Sequence, residues 1–487
     1  MSIDHVALLP AYAAVATAVV VFAVDLIVPG RRGPILVAGV LGCAVTAAVA
    51  FRAAAAGQSR GAFCSPVGCS YVGDRTASVV AVLFALLTLG VLALSAGVLR
   101  TLPPGEYCFL LACSMTGGVV LGAARDLVSL IVAVETLTLP LYALVGLRRR
   151  AVASAEAAVT FFVVSVVATA VTLLGAGLLY AATGTVHFGR LTAALGAELN
   201  PRIAPLATVG IVLVLVGLGF KVAAVPLHAW APPTYDGAPL PIAAYLSTAS
   251  KLGGVVAILA VTVDAFGHRL AVAGGTLAVL ATLTMTVGNL VALRQRRMVR
   301  LLAWSSVAQA GYILAPLGAF ALAQGRHAGE VVAAATVGYA VFYVFLELGA
   351  FGAVIALRGT GDGGAIEEYR GAARRSPWVA AALTLALAGL AGLPPGLAGL
   401  FAKVTVVRAL LTGGAAWLAV VVALNAVVGL AYYLRVAVTL FAAGPEGPRP
   451  RVPLVVAVAL GALTAVALVV GLAPQVVLGA ADLTFRP

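Results

Sequence analysis

The chain contains 30 basic residues, and only three of them are lysines. Each lysine lies inside a hydrophobic segment, whereas most of the arginines lie between such segments. A coding bias would make lysine rare everywhere, but it would not confine lysine to apolar segments. A buried lysine can release its proton, whereas arginine stays charged in proteins. A charge inside a membrane costs roughly 2.5–3.5 kcal/mol on insertion scales and indicates a function. We therefore expect proton exchange within a membrane at Lys221, Lys251 and Lys403.

Two glutamates, Glu135 and Glu347, also lie near the centres of apolar segments. A carboxylate in such surroundings is either protonated or paired with a cation. We expect Glu135 to pair with Lys221, whereas the sequence gives no evident partner for Glu347. A further ionisable side chain, His228, follows Lys221 closely in a segment that contains Pro226.

The composition indicates a membrane protein, since 62% of the residues are hydrophobic, 10% are charged and the mean hydropathy is +1.11. A membrane-spanning helix needs about 20 apolar residues. The sequence therefore predicts an all-α polytopic membrane protein of about fourteen spans. The chain has no Walker A motif, and its five cysteines include no C-x-x-C pair, so we expect no nucleotide, metal or redox cofactor on it. The predicted spans are 7–29, 34–56, 76–98, 105–123, 127–147, 157–182, 205–229, 239–262, 270–293, 301–321, 331–357, 378–413, 415–442 and 453–475.

Two of these spans contain prolines that should interrupt the helix. Pro226 lies in span 7, shortly after Lys221, and Pro394 and Pro395 lie in span 12, shortly before Lys403. Interrupted helices at corresponding places in two halves are typical of transporters built from inverted repeats. We therefore divide the chain into N-terminal helices (1–104), a first repeat of spans 4–8 (105–262), a second repeat of spans 9–13 (263–442) and a C-terminal helix (443–487).

The net charge of +13 follows the order of the spans rather than forming one basic patch. Connections after odd-numbered spans hold sixteen arginines, against eight in the remaining connections and the C-terminal segment. The positive-inside rule then places both termini outside the cytoplasm. Cys64 and Cys69 lie in the connection after span 2, on the outer side, where a disulfide is one of two open possibilities.

Several segments taken together resemble the proton-pumping, antiporter-like membrane subunits of respiratory complex I, which are related to multisubunit cation/proton antiporters. The resemblance covers roughly residues 76–442. Two features place the chain in one branch of that family: it ends soon after span 14 instead of continuing into a long lateral helix, and it has Lys403 where another branch has glutamate. The segments are Val134–Tyr142, Phe220–Trp230, Gly237–Lys251, Arg300–Tyr312, Leu348–Phe351, Ala391–Lys403 and Asn425–Arg435.

The resemblance implies roles for particular residues. Glu135 is similar to the family's glutamate in span 5. Lys221, Lys251 and Lys403 are similar to the family's lysines in spans 7, 8 and 12. His228 is similar to the histidine in the break of span 7. There are also departures, which put a relay through span 6 and the path between spans 8 and 12 in question. This chain has Thr160 where the family usually has a lysine in span 6, and Gln309 where it usually has a histidine. Glu347 stands where a neutral polar residue is more common.

The resemblance also implies partners. In complex I, NADH, FMN, iron–sulfur clusters and quinone are bound by other subunits, so the chain would be a proton-translocating part of an NADH:quinone oxidoreductase without redox chemistry of its own. Its partners would be homologous subunits of the membrane arm, and its location the bacterial plasma membrane. The alternative is a subunit of a multisubunit Na⁺/H⁺ antiporter, in which metal ions and protons use the same residues.

Overall fold

A computed structural model of the protein describes residues 3–66, 68–148, 151–198, 200–444, 451–475, 477 and 479. Of the arginines in the charge argument, Arg149, Arg150, Arg449 and Arg486 lie outside these ranges. The helices are α1 Leu9–Ile27, α2 Arg32–Ala56, α3 Arg75–Leu94, α4 Pro104–Leu121, α5 Leu127–Val145, α6 Val152–Thr183, α7 Phe188–Gly196, α8 Ala204–Gly219, α9 Ala231–Gly237, α10 Leu240–Tyr245, α11 Lys251–Ala260, α12 Leu270–Ala292, α13 Met298–Leu314, α14 Ala323–His327, α15 Gly329–Arg358, α16 Ala372–Arg375, α17 Pro377–Ala391, α18 Leu397–Thr412, α19 Ala416–Phe441 and α20 Leu454–Leu472.

Eleven helical segments of the described chain are long and apolar enough to cross a membrane. The remaining three predicted spans consist of shorter helices: α13 forms span 10, α17 and α18 form span 12, and α8 and α9 form span 7, which runs past its predicted end at residue 229. The all-α polytopic fold is thus confirmed. α15 is buried along most of its length, whereas α1, α2, α6 and α20 present many exposed apolar side chains. This distribution fits a bundle centred on α15, with the other four helices facing lipid.

Span 7 is interrupted between Gly219 and Ala231. An interior proline removes a backbone donor and clashes with the preceding turn, which leaves backbone groups without helical partners. Side chains satisfy some of these groups. The Trp230 indole donates to the Phe220 carbonyl across the break, at 3.1 Å, and the backbone N–H of Val225 donates to Thr284 at 3.0 Å. The break is therefore a defined piece of structure.

Span 12 is interrupted between Ala391 and Leu397, at the two prolines. Gly392 has a φ of +79°, a left-handed conformation that favours glycine.

Span 8 runs without a proline kink, but a π-helical turn, Leu246–Ser250, lies directly before Lys251. Such turns are common at functional positions in helices.

Connections after odd-numbered spans contact one another, and we term their side of the bundle the odd face. Arg297, after span 9, forms ion pairs at 3.0 Å with Asp236, near the end of α9, and with Asp362, after span 11. Arg148, after span 5, donates to the carbonyl of Gly361. The hydrogen bond from Arg297 holds the pKa of the Asp362 carboxyl below its usual value, so this pair is charged at neutral pH.

The opposite side, the even face, carries an antiparallel hairpin of β1 (Arg60–Ser65) and β2 (Gly68–Gly73). Cys64 and Cys69 are paired across this hairpin and form a disulfide, which resolves the alternative that the sequence leaves open. Val72 donates to the Ala123 carbonyl at 2.8 Å, so the hairpin is joined to the connection after span 4. Connections after odd-numbered spans thus lie on one face and those after spans 2 and 4 lie on the other, as the order of the spans predicts.

Candidate functional site

Glu135 and Lys221 form a salt bridge inside the bundle, with 3.1 Å between Glu135 Oε1 and Lys221 Nζ. The lysine side chain is 6% exposed and the glutamate side chain 23%. α5 supplies the glutamate, while the lysine lies just beyond the end of α8, in the break of span 7. The structure therefore brings together the two residues that we expected to pair.

Hydroxyl groups complete the surroundings of this pair. Lys221 Nζ donates to Thr138 at 2.9 Å and to Ser165 at 3.4 Å, while the Thr169 hydroxyl donates to Glu135 Oε1 at 2.8 Å. Ser165 and Thr169 are one turn apart on α6, so both face the pair. The sequence does not single them out, because the spacing of four residues shows only that they share a face of the helix, and other hydroxyls in these helices do the same. α6 thus contributes two hydroxyl groups to this site.

The break of span 7 also holds His228. The same break packs closely against span 8. His228 Nδ1 lies 3.1 Å from the Pro226 carbonyl and its ring packs on Trp304, so it adjoins the break without contacting the Glu135 pair. Gly254, one turn after Lys251, packs against the break: a Cβ added there would lie 2.8 Å from Lys221 Cβ. A glycine is needed at this contact, which holds spans 7 and 8 together beside both lysines.

Lys251 is 1% exposed, and its ammonium donates to the Ser306 carbonyl on α13 at 2.5 Å. The Ser306 hydroxyl lies 2.7 Å from the hydroxyl of Tyr343 on α15, which in turn donates to the Ser247 carbonyl at 2.8 Å. Lys251 is therefore held at the start of a hydrogen-bonded network that joins spans 8, 10 and 11.

A second set of hydrogen bonds leads toward span 12 from Ser305, the residue before Ser306 on α13. The Ser305 hydroxyl lies 2.5 Å from that of Tyr433 on α19, and the Gln309 amide donates to Tyr433 at 3.1 Å and to the Leu390 carbonyl at 2.9 Å. The Tyr339 hydroxyl donates to the Gln309 side-chain carbonyl at 2.7 Å. Gln309 thus connects α13 with α15, α17 and α19.

Lys403 lies at the far end of these contacts, 9% exposed. Its ammonium donates to the carbonyl of Ala391, the last residue of α17, at 2.6 Å, and lies 5.1 Å from the centre of the Tyr312 ring. A Cβ at Gly392 would lie 2.7 Å from Lys403 Cδ, so the glycine leaves room for the lysine to cross the break. Lys251 and Lys403 are therefore connected by side-chain and backbone contacts through α13 and α17.

Within the described residues, a partly buried salt bridge at one broken helix is followed by two buried lysines, the second at the other broken helix. Two such breaks, with a further lysine between them, define an antiporter-like membrane subunit, a class in which ionisable groups are arranged through the interior of a helical bundle. The same described residues contain no group of three His, Cys, Asp or Glu side chains that could hold a metal ion.

Comparisons with known proteins agree with that class. The family profile described as NADH:quinone oxidoreductase/Mrp antiporter, TM matches residues 124–429. A protein of Salinispora tropica named NADH-quinone oxidoreductase subunit N is 62% identical, over 98% of this chain and 98% of its own length. One of Streptomyces griseus named NADH-quinone oxidoreductase subunit N 2 is 46% identical, over 92% and 84%.

Solved structures match over almost the whole chain. A chain of respiratory complex I from Thermus thermophilus superposes with a TM-score of 0.79 at 30% identity, covering 97% of this chain and 99% of the other. A chain of the Mrp complex from Dietzia sp. gives 0.83 at 23% identity, covering 98% and 97%, which is a likeness of fold alone. The chain belongs to the NADH:quinone oxidoreductase/Mrp antiporter transmembrane family, and its named relatives place it in the subunit N branch.

Proposed function

We propose that this chain translocates protons as a membrane-arm subunit of NADH-quinone oxidoreductase, and so couples NADH oxidation and quinone reduction to proton transport. The observation that carries the proposal is the series of ionisable groups inside the bundle, from the partly buried Glu135–Lys221 salt bridge to the buried Lys251 and Lys403. Other subunits hold NADH, FMN, iron–sulfur clusters and quinone. The partners of this chain are homologous membrane-arm subunits and the lipid bilayer.

The proposed mechanism is electrostatic. A proton that arrives at Lys251 changes the charge felt by Lys221 and by Lys403, and like charges at low effective dielectric interact by several kcal/mol. Lys221 then alternates between its pair with Glu135 and a released state, which loads and releases protons. His228 adjoins the break and serves as a site of proton entry near Lys221. Moving one charge against 100 mV costs about 2.3 kcal/mol, which the redox reaction of the partner subunits supplies.

The two five-span units that we propose, residues 105–262 and 263–442, run in opposite directions because five is odd. Span 7 of the first unit and span 12 of the second occupy corresponding places. Both are interrupted beside a lysine, which supports this equivalence. Residues 1–104 and 443–487 would then flank this repeated core. The division predicts that the Lys221 and Lys403 sites perform corresponding steps at opposite ends of the path.

We propose that both termini, the even face and the Cys64–Cys69 hairpin lie outside the cytoplasm. The excess of arginine in the connections of the odd face supports this orientation. After mild reduction, a membrane-impermeant thiol reagent should label Cys64 and Cys69 in intact cells, and a Cys64→Ser, Cys69→Ser variant is the control. Labelling that requires access from the cytoplasm would reverse the orientation.

The function is tested by purification through a tag on this chain. We expect it to co-purify with NADH:quinone reductase activity and with homologous membrane subunits, and the complex in liposomes should pump protons during quinone reduction. If the purified chain alone exchanged Na⁺ for H⁺ in liposomes, with no reductase associated, the antiporter alternative would replace this proposal.

A further inference from the structure

Glu347 is a buried carboxylate that the mechanism above leaves unused. It lies in the middle of α15, its exposed fraction is 0%, and neither of its oxygens has a hydrogen-bond partner among the described residues. An uncompensated charge in such a place is expensive, so the group is either protonated or balanced by a nearby cation. A residue that served packing alone would be better replaced by leucine or methionine, since both avoid this cost.

The side chains that interact electrostatically with Glu347 come from several elements. They are the ammonium of Lys251 on α11 and the hydroxyls of Tyr235, Tyr343 and Tyr433, on α9, α15 and α19. Lys251 is the cation among them. On α15, Glu347 lies one turn after Tyr343, whose hydroxyl contacts the Ser306 hydroxyl and the Ser247 carbonyl. The glutamate therefore adjoins the network that begins at Lys251.

The hydrogen-bonded groups between Lys251 and Lys403 are hydroxyls, backbone carbonyls and the amide of Gln309. An amide neither gains nor loses a proton near neutral pH, and a tyrosine or serine hydroxyl does not ionise readily there. A proton that travels from one lysine to the other thus lacks an ionisable stopping place among the network's own members. Glu347 is a carboxyl adjacent to that network.

We propose that Glu347 is a further proton-exchanging residue, which accepts the proton that Lys251 releases and passes it toward Lys403. In the first step the Nζ–H bond of the Lys251 ammonium breaks and an O–H bond forms on the Glu347 carboxylate, so both groups become neutral. In the second step that O–H bond breaks, and the proton reaches the neutral amine of Lys403 through Tyr433 or water. No other reactant is needed. This inference rests on the proposed function of the chain.

The test uses the assembled complex in liposomes and measures protons translocated per quinone reduced. Glu347→Gln keeps the size of the side chain but removes its exchangeable charge, and we expect it to lose most of the proton translocation while the complex stays assembled. Glu347→Asp should retain part of it. Glu330→Gln is the matched control, because Glu330 is exposed in the first turn of the same helix; we expect wild-type pumping.

A rescue variant separates proton exchange from a structural role. Gln309→His added to Glu347→Gln places an ionisable ring within the Tyr433, Tyr339 and Leu390 contacts, and we expect it to restore part of the lost translocation. A lost packing contact at Glu347 would not be repaired from position 309. Redox-induced infrared difference spectra give a second readout: a carboxylic-acid C=O band should appear in the wild type, shift in Glu347→Asp and vanish in Glu347→Gln.

The outcomes distinguish a failure of the role of Glu347 from a failure of the proposed function. If Lys251→Arg abolishes pumping but assembled Glu347→Gln pumps normally, the role of Glu347 is refuted and the proposed function stands. If the wild-type complex moves no protons, the proposed function itself fails. Should Glu347→Gln not assemble, Glu347→Asp carries the test, and an infrared band that does not shift in that variant refutes the inference.

Discussion

Replacing Glu135 by glutamine tests how strongly the charge of Lys221 depends on its partner. At the observed 3.1 Å, with an effective dielectric constant of 20, the pair attracts by about 5 kcal/mol. Mutational data on buried pairs give roughly 3–5 kcal/mol when one partner is removed. The hydroxyls of Thr138 and Ser165 remain, but they carry no charge. Since 1.4 kcal/mol is tenfold, a cost of about 3–5 kcal/mol should change the balance between the charge states of this site by about 10²- to 4 × 10³-fold.

We therefore expect Glu135→Gln to lower proton translocation severely, with the complex still assembled, because Lys221 no longer alternates between paired and released states. The assay is proton uptake by liposomes containing the complex, related to the quinone reduced and to the amount of this chain. Glu156→Gln, at an exposed position in the first turns of α6, is the control. Wild-type translocation by assembled Glu135→Gln would refute the argument that this salt bridge drives the cycle.

Three further predictions concern other parts of the chain. Lys251→Arg should abolish pumping in an assembled complex, since at pH 7 fewer than about one guanidinium in 10⁵ is neutral, and normal pumping would exclude proton exchange at this lysine. Thr160→Lys, which introduces the residue usual in related proteins, should change pumping less than Glu135→Gln does, because Ser165 and Thr169 already serve the pair from α6; a larger loss in the same assay would contradict this. Reduction of the Cys64–Cys69 disulfide should cost the short hairpin about 2 kcal/mol by loop entropy, while β1–β2 pairing and the contact with Ala123 preserve pumping; alkylation followed by mass measurement reports the reduction, and lost pumping would contradict the prediction.

The helices and their breaks could be predicted because their causes are local. A run of about 20 apolar residues must form a helix in lipid, and a proline inside it removes a backbone hydrogen bond wherever the helix lies. The Glu135–Lys221 pair could also be predicted, since isolated opposite charges in apolar segments need each other. Each of these predictions needs only the type of a residue and the knowledge that lipid or apolar side chains surround it.

The hydroxyl ligands and the neighbours of Glu347 could not be predicted from the sequence. Thr138 and Thr172 donate to the carbonyl one turn earlier, as threonines in apolar helices commonly do, so the sequence does not mark which hydroxyl also receives Lys221. The position of Glu347 one turn from Tyr343, and so next to the network of Lys251, depends on how α15 packs against spans 8 and 10. Such a contact is set by the tertiary arrangement of helices that are far apart in the sequence.

The ion pairs of Arg297 on the odd face join segments from both proposed repeats, since Asp236 belongs to the first and Arg297 and Asp362 belong to the second. A carrier that exposes its cargo by rocking one half against the other would have to break these contacts in every cycle. Protons need no such opening, because they pass between side chains and water over the length of a hydrogen bond. The bundle is therefore suited to act as a fixed frame, in which charges are displaced while the helices that hold them stay in place.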